Sequence, residues 1–215
     1  IRFSNINGGG PISVTGAGNV GTNPNGQISF GDGVTPNTVN MTVNQAIGCV
    51  TGIGTTVNVL TATGDLQVGP FTSSGVTTFR TNGVGADIIT CGDIDSGAGN
   101  LTLQAGTGAN ANVQLKNNVT STGLLTINSG AGAGSNVTLD PAVTVSGGTT
   151  AVNTPQLALG AGSTLRASTG DLDVQSNAPG SALTVNLAAG STIVSTNSDV
   201  GFNRTTAGAI TMTGG

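Results

Sequence analysis

The sequence contains no tryptophan, tyrosine or histidine, and only five phenylalanines in 215 residues. Glutamate is missing too, and Lys116 is the single lysine. Each absence excludes something. Without histidine, a general base would have to be aspartate, and a cysteine nucleophile would lack an imidazole partner. An enzyme is therefore not expected, nor is a bound cofactor or metal. With so few aromatics, a conventional sandwich or barrel with a centre full of large rings is disfavoured. Charged residues make up only 7%, and nine aspartates against four arginines and one lysine leave a net charge of −4. That balance has no basic footprint, so nucleic acid and anionic membrane are poor partners. No apolar run approaches the roughly eighteen residues of a membrane span. Intrinsic disorder needs low hydrophobicity with high net charge, and the mean hydropathy of +0.18 does not fit it.

Glycine, threonine, serine, asparagine and alanine fill the space. Threonine suits strands, while glycine, asparagine and serine suit turns. Helical templates fail, because glycine interrupts every window that would place apolar residues at i, i+3, i+4 and i+7.

A repeat stands out. Leu101, Val113, Leu125 and Val137 recur at a fixed interval, as do Leu103, Leu115, Ile127 and Leu139. One polar residue, Thr102, Gln114, Thr126 or Thr138, sits inside each pair. Apolar-polar-apolar triplets returning at a fixed period describe short strands in a stack, with the apolar members facing inward. Further pairs follow at Val143 and Val145, Leu157 and Leu159, Leu172 and Val174, Leu183 and Val185, Val200 and Phe202, and Ile210 and Met212. Earlier in the chain, strands are expected at Ile12–Val14, Ile28–Phe30, Val39–Val43, Val57–Leu60, Leu66–Val68, Val76–Phe79 and Ile88–Ile89. Asn23-Pro24-Asn25-Gly26 and Asp32-Gly33 are turn signals.

A phrase also recurs: Gly64-Asp65-Leu66-Gln67-Val68, Gly99-Asn100-Leu101-Thr102-Leu103 and Gly170-Asp171-Leu172-Asp173-Val174. Repetition favours parallel coils over a meander of hairpins, because equivalent positions then stack on themselves. The expected fold is all-β: a parallel β-helix, or β-solenoid, with two or three short strands per coil and roughly nine or ten coils. We read residues 1–215 as one solenoid segment, less regular over 1–98 and regular over 99–215. The chain begins at Ile1 and stops at Gly215 in mid-pattern, so a segment of a longer processed polypeptide is expected.

These phrases, spread over most of residues 60–215, resemble the repeats of filamentous-haemagglutinin-type exoproteins. Those are large bacterial adhesins exported by two-partner secretion. Asn23-Pro24-Asn25-Gly26, followed by Gln27-Ile28-Ser29-Phe30-Gly31, resembles a motif of that family's secretion domain. The resemblance implies a right-handed parallel β-helix, secreted to the cell surface, with a structural and adhesive task. Implied partners are other copies of the chain, flanking repeats of the same polypeptide, and host or neighbour-cell glycans or proteins.

In an exported protein, the two cysteines, Cys49 and Cys91, are expected to form a disulfide. The bridge requires neighbouring positions, since Cα atoms beyond about 7 Å cannot be joined; a separation of two full coils would be too great. The bland alternative is two buried free thiols. Asp93 with Asp95, and Asp171 with Asp173, flank an inward Ile94 or Leu172 and so face outward together. Calcium ligation or a sugar-cleaving carboxylate pair would use such a geometry, but a solvated outer face is the simpler reading. Five Asn-x-Ser/Thr acceptor sequences, at Asn40, Asn100, Asn118, Asn136 and Asn203, are about what this composition produces by chance. Thr-x-Thr occurs at Thr61/Thr63, Thr120/Thr122 and Thr211/Thr213, too irregular for an ice-ordering array. The functional expectation is a stalk, fibre or extracellular matrix element. A self-assembling filament or sheath subunit is the alternative, and a polysaccharide-cleaving β-helix enzyme a distant one.

Overall fold

The computed structural model describes residues 1–3, 11–21, 26–31, 34, 36–178, 180–205 and 208–215. Strands and turns make up these residues, with no helix among them, and the strand pairings are parallel. The chain winds into a β-solenoid of about 8 turns, fewer than the nine or ten expected. At about 4.8 Å per rung the stack rises roughly 40 Å.

Each regular coil has three strands. One coil carries Leu101–Gln104, Val113–Leu115 and Val119–Thr120, and the next begins at Leu124–Asn128. Strands of successive coils pair in register and build three columns. The first runs through Leu66, Ile88, Val113, Val137, Leu157 and Val185. The second runs through Phe71, Ile94, Val119, Val145, Leu165 and Ile193. The third runs through Ile12, Val39, Val57, Thr77, Leu101, Leu125, Thr150, Leu172 and Val200.

The sequence repeat is thus half a coil. Leu101 stacks on Leu125, and Val113 on Val137, in different columns. The second column falls between repeats and leaves a weaker trace, because strands such as Val119–Thr120 carry a single apolar residue. All eight triplet positions from Leu101 to Leu139 face the core and are buried.

The core is a continuous column of Val, Leu and Ile, with Phe30, Phe71 and Phe79 filling the less regular early coils. Phe71 and Phe79 meet edge to face at 5.3 Å. Buried hydroxyls settle the corners: Ser121 donates to the Gly99 carbonyl at 2.8 Å, and Ser129 to Thr154 Oγ1 at 2.9 Å. The strands expected in the first hundred residues are present. Two are longer than expected: Cys49–Thr61 wraps around corners to serve all three columns, and Leu66–Ser73 serves two.

Two details differ from the sequence expectation. The recurring phrase does not mark a single column: Leu66 begins a strand of the first column, whereas Leu101 and Leu172 begin strands of the third. Its glycine also has no constant conformation. Gly64 has φ +72°, but Gly99 is a stacking residue, where a Cβ would run into the Gly75 carbonyl oxygen of the coil before it.

The shared feature is the polar second residue. Asp65 Oδ1 accepts the amide of Asp87 at 2.9 Å, Asn100 Oδ1 that of Leu124 at 3.0 Å, and Asp171 Oδ1 that of Asp199 at 3.3 Å. In each case the donor lies one coil onward. The phrase therefore encodes a turn whose side chain ties one coil to the next.

Candidate functional site

Cys49 and Cys91 form a disulfide with Cα atoms 6.4 Å apart. The expectation that a two-coil separation would prevent bonding is corrected. Cys49 stacks on Gln67, and Gln67 on Ile89, so the bridge spans two coils. It closes because the coil between them passes at Gly69, which has no side chain, and both sulfurs lie against its carbonyl oxygen. The ladder is irregular here: Val50 pairs with Val68 but Gly52 with Phe71, so Gly69-Pro70 takes up an extra residue. Cys91 is exposed and Cys49 half-buried, so the bond is an external clasp and not part of the core.

The aspartate pairs face outward, as expected, around buried Ile94 and Leu172. Each carboxylate is engaged by the chain, three of them across coils and Asp95 within its own turn. Asp93 Oδ1 accepts the Asn118 amide at 2.9 Å, and Asp95 Oδ1 that of Gly97 at 2.9 Å. Arg204 bridges Asp171 at 3.5 Å, Asp173 at 3.2 Å and Asp199 at 3.3 Å. The Ser198 hydroxyl, and then the Asp199 amide and Arg204, hold the Asp171 carboxyl below its usual range. Arg204 is in turn held more firmly protonated, first by its hydrogen bond to Asp173. Among the described residues, no three His, Cys, Asp or Glu side chains converge as metal ligands.

The asparagines of the acceptor sequences are also mostly rungs. Asn118 Oδ1 accepts the Thr144 amide at 2.9 Å, Asn203 Oδ1 that of Ser176 at 2.8 Å, and Asn40 Oδ1 the Asn58 side chain at 3.1 Å. Asn23, Pro24 and Asn25 of the secretion-like motif, and Asp32-Gly33, lie outside the described residues.

The site that sequence reasoning missed is a groove of about 640 Å³ beside the third column. An amide ladder forms one wall: Gln104 stacks on Asn128, Asn128 on Asn153, and Asn153 on Gln175. Each follows the second inward residue of its strand, so each points outward. Asn153 Nδ2 donates to Asn128 Oδ1 at 2.7 Å, and the Thr205 hydroxyl lies against Gln175 Oε1.

The concavity comes from unequal turns. Asn153 is joined to Gln156 by Thr154-Pro155 alone, whereas the neighbouring links run over 129–136 and 176–182. The short link leaves a notch between two long ones. Asn177 reaches across it, two coils back, and donates Nδ2 to the Ser129 carbonyl at 2.6 Å. No charged side chain lines the groove. A signal was present in the sequence: Leu103-Gln104, Ile127-Asn128, Val152-Asn153 and Val174-Gln175 put an amide at one phase of four strands.

No helix among the described residues is long and apolar enough to cross a membrane. No family model matches the chain, and no curated protein or solved structure gives a significant match. The fold is compatible with β-helix repeat proteins as a broad class.

Proposed function

We propose that this chain is the shaft of a secreted, cell-surface adhesin, a mechanical and adhesive β-solenoid of the two-partner-secretion type, and not an enzyme. One observation carries the reading: three parallel ladders run through the stack, and outer Asp and Asn side chains reinforce them by binding the amide of the next coil. Such a structure spreads a pull along the axis over many hydrogen bonds. The Cys49–Cys91 clasp supports an extracellular location, because disulfides persist in oxidising compartments. The outward carboxylates serve as rungs and ion-pair partners, which gives a sugar-cleaving carboxylate pair no support.

The alternative is a self-assembling filament or sheath subunit that binds mainly copies of itself, which the same stacked parallel ladders also support.

Two measurements test these readings. Antibody labelling of intact cells of the source organism should find the chain outside; signal only after permeabilisation overturns the surface role. Negative-stain images across concentration should show single rods. Fibres that lengthen with concentration would favour the filament.

A further inference from the structure

We propose that the groove beside Gln104, Asn128, Asn153 and Gln175 binds an extended, uncharged polysaccharide lying along the solenoid axis. The inference rests on the adhesive reading and gives it a ligand class.

Three features select that ligand. The first is chemistry. A carboxamide presents a donor and an acceptor side by side, which matches two adjacent sugar hydroxyls. The bonds already made set the orientation: with Asn153 Nδ2 given to Asn128 Oδ1, Asn128 presents its Nδ2 and Asn153 its Oδ1 to the groove. Gln104 has no protein partner among the described residues, so both ends of its amide are offered.

The second feature is spacing. Successive amides are one rung apart, about 4.8 Å. That is close to the advance of one pyranose ring in an extended β-linked chain, so each ring can meet one amide, alternate rings presenting opposite edges. The ladder continues over three rungs to Gln175, and Thr205 extends the lining into the following coil.

The third feature is charge. No charged group lines the groove, so an anionic polymer finds no cation between Gln104 and Thr205 and a basic segment no carboxylate; the neighbouring cation Arg80, one rung before Gln104, gives its Nε to Asn82 Oδ1. A peptide adding as a strand is disfavoured for a different reason. Strand addition needs an open backbone edge, and the amide-bearing strands are already paired to the coil on either side. Binding by hydrogen bonds without aromatic stacking is weak at one site, and repetition along a long polymer raises the avidity.

The test is calorimetric titration of the protein with three probes: cellohexaose, mannohexaose and hexagalacturonate. At least one neutral hexasaccharide should bind, with hexagalacturonate about tenfold weaker or more. Replacing the bonded pair together, Asn128→Leu with Asn153→Leu, should weaken neutral binding about tenfold, as loss of desolvated hydrogen bonds does. Gln104→Leu leaves that pair intact and should weaken binding several-fold. Thr138→Ala, on the outer side of the first column, should not change it. Circular dichroism melts of each variant report folding separately. The inference is overturned if neither neutral sugar binds, if hexagalacturonate binds as tightly, or if both groove variants bind like the parent. Failure here with rods and surface exposure intact removes the ligand and leaves the shaft.

Discussion

Asn112 gives its backbone amide to Asp87 Oδ1 at 2.7 Å, and its own Oδ1 accepts the Asn136 amide one coil further on at 3.0 Å. With Asp65 below, three side-chain acceptors, Asp65, Asp87 and Asn112, form a staircase along one corner that ends on the Asn136 amide. A backbone amide at a tight corner would otherwise face solvent or go unpaired. The staircase satisfies it and fixes the register of the coil above.

Asp87 is the step whose carboxyl is shifted. Burial pushes its carboxyl above the ordinary 3.8. Hydrogen bonds from the Asn112 amide, Gln114 and the Asn112 side chain pull the other way, while the Asp65 charge adds to the rise. A raised carboxyl holds its proton longer in the folded chain than in the unfolded one. Its contribution therefore falls as pH climbs through the window that begins near 3.8. Asp87→Asn keeps an acceptor for Asn112 and matches the asparagines above it. It should flatten this slope in urea titrations between about pH 3 and 6, with little loss at neutral pH. Asp87→Leu removes the acceptor and should cost about 1–3 kcal/mol. An unchanged slope in Asp87→Asn would refute the assignment.

Asp171 should behave with the opposite sign. Its carboxyl is held down, first by the Ser198 hydroxyl, so its contribution is present above 3.8 and fades as pH falls through the lower folded value. In Ser198→Ala the Asp171 carboxyl should titrate closer to its ordinary value, as followed by carboxyl carbon NMR. An identical titration curve would show that the hydroxyl is not what holds it.

Leu125 is fully buried between Leu101 and Thr150. Leu125→Ala should cost about 2–5 kcal/mol. Leu125→Asp places an unpaired charge in a narrow core and should prevent folding. Thr126, next in sequence and facing outward, should tolerate aspartate within about 1 kcal/mol. Chemical denaturation of the three variants separates inward from outward positions, and similar losses at both would contradict the parallel stack.

Gly99 has no room for a side chain, because a Cβ would collide with the Gly75 carbonyl oxygen. Gly99→Val should therefore open the corner before Leu101 and lower the thermal midpoint by several degrees. Hydrogen exchange should localise the loosening to amides near Thr77 and Leu101. A variant as stable as the parent would show that this corner yields easily.

The clasp is tested by labelling denatured, unreduced protein, which should have no reactive thiol. Reduction should lower stability by up to about 4 kcal/mol, the loop-closure value for this separation. Two labelled thiols per chain would exclude the bond in the mature protein.

By itself, the sequence determined the strands and their inward faces. Leu101, Val113, Leu125 and Val137 alternate with polar neighbours, and period-two patterning is a local property that needs no partner to be read. It also carried the turn chemistry, since Gly-Asp-Leu and Gly-Asn-Leu mark a corner wherever they occur. Which corner they mark was decided by the tertiary structure, because Leu66 and Leu101 begin strands of different columns through coil lengths summed over the whole stack. The same holds for the disulfide. Cys49 and Cys91 meet across two coils only because the intervening chain passes as Gly69. The groove, too, follows from one short link, Thr154-Pro155, set between longer ones. Local pattern dictates what each residue does within its strand; contacts between coils depend on how many residues each turn consumes, and no single window of sequence contains that information.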